Sequence, residues 1–68
     1  MTIEVKPINT DQFILSTREA SCLLRVNAVR VRELAETGEI AGFRVGKNWR
    51  YRRSDLLAWV DRQVEASR

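Results

Sequence analysis

The sequence predicts a mainly α-helical fold carrying one small β-hairpin, in the order α-α-β-β-α. Ser16-Thr17-Arg18-Glu19 has the form of a capping box and opens a run of helical periodicity. Between Ile40 and Tyr51 the apolar period changes to two, and Ser54-Asp55 then signals a further helix start.

Residues 1–13 contain Pro7, Asn9, Thr10 and Asp11 without a clear period, so they are expected to form a loose arm ahead of a single domain spanning residues 14–68. In the first helix, Ser16 caps the backbone N–H of Glu19, and Ala20, Leu23 and Leu24 make one apolar stripe that ends near Arg25. Val26 closes the turn. Asn27 is a suitable N-cap for the second helix, whose inward positions are Val31, Leu34 and Ala35. Its outward face is Ala28, Val29, Arg30, Arg32 and Glu33, and Gly38 supplies the positive φ that commonly ends a helix. Two helices joined across so tight a turn make a helix-turn-helix, whose second helix is built to enter a major groove.

In the hairpin, Phe43 and Val45 alternate with Arg44, and Trp49 and Tyr51 alternate with Arg50, with Gly46-Lys47-Asn48 as the loop. A lone hairpin is marginal in water, so Phe43, Val45 and Tyr51 are expected to pack on the helices while the basic side chains share one face and the tip. Ser54 is the expected N-cap of the third helix, Asp55 complements its dipole, and Leu56, Trp59, Val60 and Val64 form its inward stripe.

At 68 residues the chain suits one domain with a small core, burying about 60% of the unfolded chain's surface. A composition of 44% hydrophobic and 31% charged residues is that of a folded chain. No run approaches the ~18 apolar residues of a membrane span, and no secretory signal is present, so the expected location is cytoplasmic, with the bacterial nucleoid. The single Cys22 and the absence of histidine argue against an intramolecular disulfide and the usual zinc sets. They also leave the commonest general base missing and Cys22 without an activating neighbour, so no catalytic residue, cofactor, metal or small-molecule ligand is expected. Cys22 reads as a small helix residue, buried or half-exposed.

The net charge of +3 matters less than its distribution. From Phe43 to Arg53 the chain holds Arg44, Lys47, Arg50, Arg52 and Arg53 and no acid, whereas Glu33, Glu36, Glu39, Asp55, Asp61 and Glu65 lie elsewhere. Such segregation points to a basic face directed at a polyanion, the alternative being a solvated charge run.

The markers Leu15-Ser16-Thr17-Arg18-Glu19-Ala20, Leu23-Leu24, Val26-Asn27, Gly38-Glu39-Ile40, Phe43-Arg44-Val45-Gly46, Trp49-Arg50-Tyr51 and Ser54-Asp55-Leu56 with Trp59 stand in this order. From about Leu15 to Val60 the chain thereby resembles the excisionase-like, MerR-type winged helix-turn-helix family of DNA-binding domains. Arg25 stands where that family usually has glycine, which implies backbone strain if its φ is positive, and Ala41 stands where proline is usual.

The resemblance implies that the second helix lies in the major groove of double-stranded DNA while the hairpin, the wing, grips the adjacent backbone or enters the minor groove. Arg30 and Arg32 are then the candidates for guanine, Ala28 and Val29 for thymine methyl groups, and Glu33 for cytosine N4. Asn27 would touch a phosphate. The bland alternatives are capping alone for Asn27, helical ion pairs for Arg30 and Arg32, and a solvated Glu33. On the wing, Arg44, Lys47, Asn48 and Arg50 are assigned to phosphates, with the tip able to reach bases, while Trp49 either packs on the core or covers sugar. Thr17, Arg18 and Arg25 are assigned to further phosphates, the first two beside a helix N-terminus. Arg52 and Arg53 are expected simply to solvate the start of the third helix.

Among functions, a chain ending at Arg68 has no room for the heptads of a dimerising regulator, which favours an excisionase, also called a recombination directionality factor. Such proteins bind tandem sites cooperatively, bend DNA and steer an integrase towards excision. The alternatives are a compact MerR-type transcriptional regulator and, in a different class, a protein-interaction module such as an antitoxin or integrase adaptor.

Overall fold

The computed structural model describes residues 10–68, so most of the arm expected over residues 1–13 lies outside the described residues. Within them the order is β1 (Ile14–Ser16), α1 (Thr17–Leu24), α2 (Ala28–Glu36), β2 (Gly42–Val45), β3 (Asn48–Arg52) and α3 (Arg53–Ala66). The expected α-α-β-β-α order is present, preceded by a short strand.

α1 begins where the capping box places it. Ser16 Oγ accepts from Glu19 N at 3.2 Å, and Glu19 Oε1 accepts from Ser16 N at 2.8 Å. The helix ends on Arg25 at φ 57°, ψ 39°, the left-handed region that favours glycine, with the N–H groups of Arg25 and Val26 both donating to Ser21 O. For a side chain with a Cβ that conformation costs about 1–2 kcal/mol. Arg25→Gly is therefore expected to raise thermal stability, by about 1 kcal/mol in a urea titration. α2 starts on Asn27, whose Oδ1 accepts from Val29 N at 2.8 Å, and Asn27→Ala should cost about 1 kcal/mol in the same measurement. Its end is a Schellman motif: Glu39 N donates to Leu34 O, Gly38 N to Ala35 O, and Gly38 takes φ 81°.

The sheet runs β1-β3-β2, antiparallel throughout. β1 has no counterpart in the sequence reading, because three residues are too few to display a period. It exists because β3 would otherwise present an open edge, and Leu15, paired with Tyr51, reaches the core from it. The hairpin loop is also tighter than expected, Gly46-Lys47 alone, with Val45 opposite Asn48 and Asn48 already in β3. Gly46 has φ 65° and Lys47 does not share a positive φ, the pattern of a type II′ hairpin.

That register corrects one expectation. Phe43 lies opposite Arg50 and Val45 opposite Asn48, so both face away from the helices, while Gly42, Arg44, Trp49 and Tyr51 face inward. Only Tyr51 of the three predicted hairpin residues is in the core; Phe43 and Val45 are exposed. The basic side chains accordingly do not share one face, since Arg44 and Arg50 project from opposite sides of the sheet. Inward room is made by Gly42, where an added Cβ would sit 3.1 Å from both Trp49 Cε3 and Tyr51 Cε1 and 3.2 Å from Ala35 Cβ.

Leu15, Ala20, Val31, Leu34, Ala35, Ile40, Tyr51 and Leu56 form the core, flanked by Leu23, Leu24, Val26, Trp49 and Trp59. In α3, Leu56 is buried, Trp59 and Val60 are half-buried, and Val64 is exposed rather than inward. Ser54 is not the N-cap: the helix begins one residue earlier. Arg52 holds the cap position and reaches Asp55 through two hydrogen bonds of 2.7 and 3.3 Å, while the first helical N–H, that of Arg53, donates to Phe13 O. Arg53 Nε also donates to Thr10 O at 2.8 Å, so Arg52 and Arg53 do structural work beyond solvation. Cys22 is exposed, not buried or half-buried, because it lies off the stripe of Ala20, Leu23 and Leu24.

Candidate nucleic-acid interface

The elements above bring three parts of the chain to one side. A concavity of about 200 Å³ opens between the start of α1, the first turns of α2 and the hairpin tip. Thr17 lines it from α1, Ala28, Val29 and Arg32 from α2, and Lys47, Asn48 and Trp49 from the wing. All seven are candidates named from sequence, and residues 30 positions apart meet there because the sheet folds the wing back beside α2. Thr17 is held by Tyr51, whose hydroxyl lies 3.2 Å from Thr17 Oγ1, so a core residue positions a residue of the concave wall. Val29 is exposed in this wall, an apolar side chain in water unless something covers it.

Of the other α2 candidates, Asn27, Arg30 and Glu33 do not line the concavity, whereas Arg32 does. Arg30 and Arg32 make the helical ion pairs weighed as their alternative, with Glu33 at 3.5 Å and Glu36 at 3.8 Å. Both pairs are solvent-exposed and worth no more than about 1 kcal/mol each, so they yield readily to a stronger acceptor. Glu33 is thereby also placed, on the solvent side of α2. Asn27 performs the cap described above while remaining exposed.

The remaining cations differ in kind. Among the described residues Arg18, Arg25, Arg44, Lys47, Arg50 and Arg62 have no carboxylate within ion-pairing distance, whereas Arg30, Arg32, Arg52, Arg53 and Arg68 do; Arg62, on α3, donates instead to Glu39 O at 3.0 Å. Arg44 lies 5.1 Å from the Trp49 ring centroid, a cation–π stack that holds its guanidinium beside the hairpin tip. Arg50 donates at 3.1 Å to the carbonyl of its own neighbour Trp49. Trp49 packs half-buried against the core, and its indole N–H, enclosed and without an acceptor among the described residues, points to a largely structural position. Sequence reasoning missed Tyr51 as the support of Thr17, because an alternating strand shows which residues face inward but not which hydroxyl meets which.

Among the described residues no cluster of side chains could hold a metal ion, and no helix is long and apolar enough to cross a membrane.

Comparison with known proteins returns one result. The model of the family described as helix-turn-helix domain matches residues 14–64. No curated protein and no solved structure matches the chain. The matched region runs from β1 through most of α3, so it takes in the α1-turn-α2 unit and the whole wing, and it supports sequence-specific DNA binding. Fold and family match agree: this chain belongs to the helix-turn-helix domain family.

Proposed function

We propose that the chain is a non-enzymatic, sequence-specific binder of double-stranded DNA that acts as an excisionase, occupying tandem sites and bending DNA to direct an integrase towards excision. The observation that carries the DNA-binding part is the concavity where the starts of α1 and α2 meet the wing tip, within a chain matched as a helix-turn-helix domain. Arg18, Arg25, Arg44, Lys47 and Arg50 lack carboxylate partners among the described residues, and the start of α1, α2 and the wing tip share one concavity. Exposed cations that spend no energy on internal pairs are available to phosphates, and each phosphate neutralised releases counterions.

In this reading α2 enters the major groove with Arg30 and Arg32 towards guanine, Ala28 and Val29 towards thymine methyl groups and Glu33 towards cytosine. Asn27, Thr17, Arg18 and Arg25 take phosphates beside it, and Arg44, Lys47, Asn48, Trp49 and Arg50 hold the backbone on the wing side. The excisionase assignment rests on the sequence resemblance. Bending costs of order 1–6 kcal/mol, which several small copies bound side by side can offset. The expected setting is the cytoplasm, with the integrase and neighbouring copies as protein partners.

DNase footprinting with bend analysis tests it. Tandem, phased protection with a bend beside an integrase attachment site is the expected result; protection confined to a promoter would replace the excisionase role by transcriptional regulation.

A further inference from the structure

We propose that the free edge of β2, with the outer face of the sheet, docks an extended acidic segment of a partner protein. Phe43 and Val45 lie outside the concavity, whereas the cations beside them, Arg44, Lys47 and Arg50, are shared with the DNA-binding reading; the proposal does not require that reading to hold. The register leaves Phe43 and Val45 pointing outward from β2, 40% and 57% exposed, with Ile14 of β1 on the same face at 37%. In the sheet order β1-β3-β2 nothing pairs with the far side of β2, so the N–H and C=O groups directed there have no strand opposite. Edges of this kind are usually blunted by proline, a bulge or a charge on the exposed face. β2 carries no proline or bulge and its outward residues are the two apolar ones, so its guards against pairing are only its four-residue length and the inward-pointing Arg44.

Charge decides the occupant. Arg44 on one side of the edge and Arg50 beside Phe43 on the other have no carboxylate partner among the described residues, and Lys47 stands at the end of the strand. A second copy paired edge to edge would bring these cations together, and like charges directly across strands are destabilising. The exposed apolar side chains are also too few for the roughly 1,200–2,000 Å² that a stable protein pair buries. An added strand needs no such area, because its main chain supplies the hydrogen bonds and alternate side chains supply the selectivity. The complementary segment therefore alternates apolar residues, set against Phe43 and Val45, with carboxylates, set against Arg44.

A fluorescein-labelled peptide of alternating valine and glutamate tests this by anisotropy against the full chain. Saturable binding is expected, weakened at least tenfold by the double variant Phe43→Ser, Val45→Ser and at least tenfold when alternate peptide amides are N-methylated or lysine replaces glutamate. DNA affinity of the double variant should stay within twofold, which separates the role of Phe43 and Val45 from that of the shared cations. No saturable binding, equal binding by the double variant or by the N-methylated peptide, or a dimer in sedimentation that the double variant abolishes would each overturn the proposal. The peptide arms use the unaltered protein, so they decide the matter even if the double variant folds poorly.

Discussion

Replacing Tyr51 by alanine is expected to remove a large part of the domain's stability. Truncating a buried aromatic side chain costs about 3–5 kcal/mol. A chain of 68 residues has a total stability of only about 3–10 kcal/mol, by the usual 0.05–0.15 kcal/mol per residue. Tyr51 is fully buried on the central strand, with Leu15 opposite on β1 and Gly42 opposite on β2. Its loss therefore opens a cavity between both edge strands and the helices. Urea titration followed by far-ultraviolet circular dichroism measures this.

Tyr51→Phe is the control that separates volume from hydroxyl. It keeps the ring and removes only the contact with Thr17, so its expected cost is about 0.5–1.5 kcal/mol. If alanine and phenylalanine were equally damaging, the hydroxyl rather than the packing would hold the sheet to α1. Gly42→Val, in which a branched side chain must enter a space already at 3.1 Å from two aromatic rings, should be destabilising by about 1–3 kcal/mol through overpacking.

The elements that were legible in the residues are those with local chemistry. Ser16-Glu19 and Asn27 form the caps their side chains dictate, Gly38 and Gly46 take positive φ, and Arg25 carries the strained backbone that its place in the turn implied. The seven residues of the concavity were also named from the sequence, most because they lie near a helix start or the hairpin tip and Arg32 because helical spacing puts it on the outward face of α2. What was hidden depends on pairing between distant segments. The alternation of β2 is present in the sequence, but two alternating runs carry no mark of which phase faces the helices. The two-residue loop settled it, placing Arg44 opposite Trp49 and turning Phe43 and Val45 outward. β1 was hidden for the same reason: its pairing with β3 is a long-range contact, and Ile14–Ser16 shows no pattern of its own. Arg53 is similar, since its bond to Thr10 O spans 43 positions.

The second large effect expected is on DNA affinity, and its signature is the dependence on salt. If Arg18, Arg25, Arg44, Lys47 and Arg50 each neutralise one phosphate, log K should fall with log salt at a slope of about −4.5, so a rise from 50 to 200 mM salt should weaken binding roughly 500-fold. Lys47→Ala, at the wing tip, should reduce the slope by about 0.9 and weaken binding to every duplex alike. Arg30→Ala should behave differently. Its partner Glu33 is a weak, exposed pair in the unbound protein, so little is lost there, and the expected cost of about 1–3 kcal/mol falls on the preferred duplex with relaxed base preference. Selection from random duplexes at two salt concentrations, run on the native chain and both variants, measures slope and preference together. Identical losses on all duplexes for both variants would mean that α2 contributes only charge, and the division between a reading helix and a gripping wing would have to be abandoned. A slope unchanged by Lys47→Ala would instead move the phosphate contacts off the wing, onto Arg18 and Arg25 beside α1.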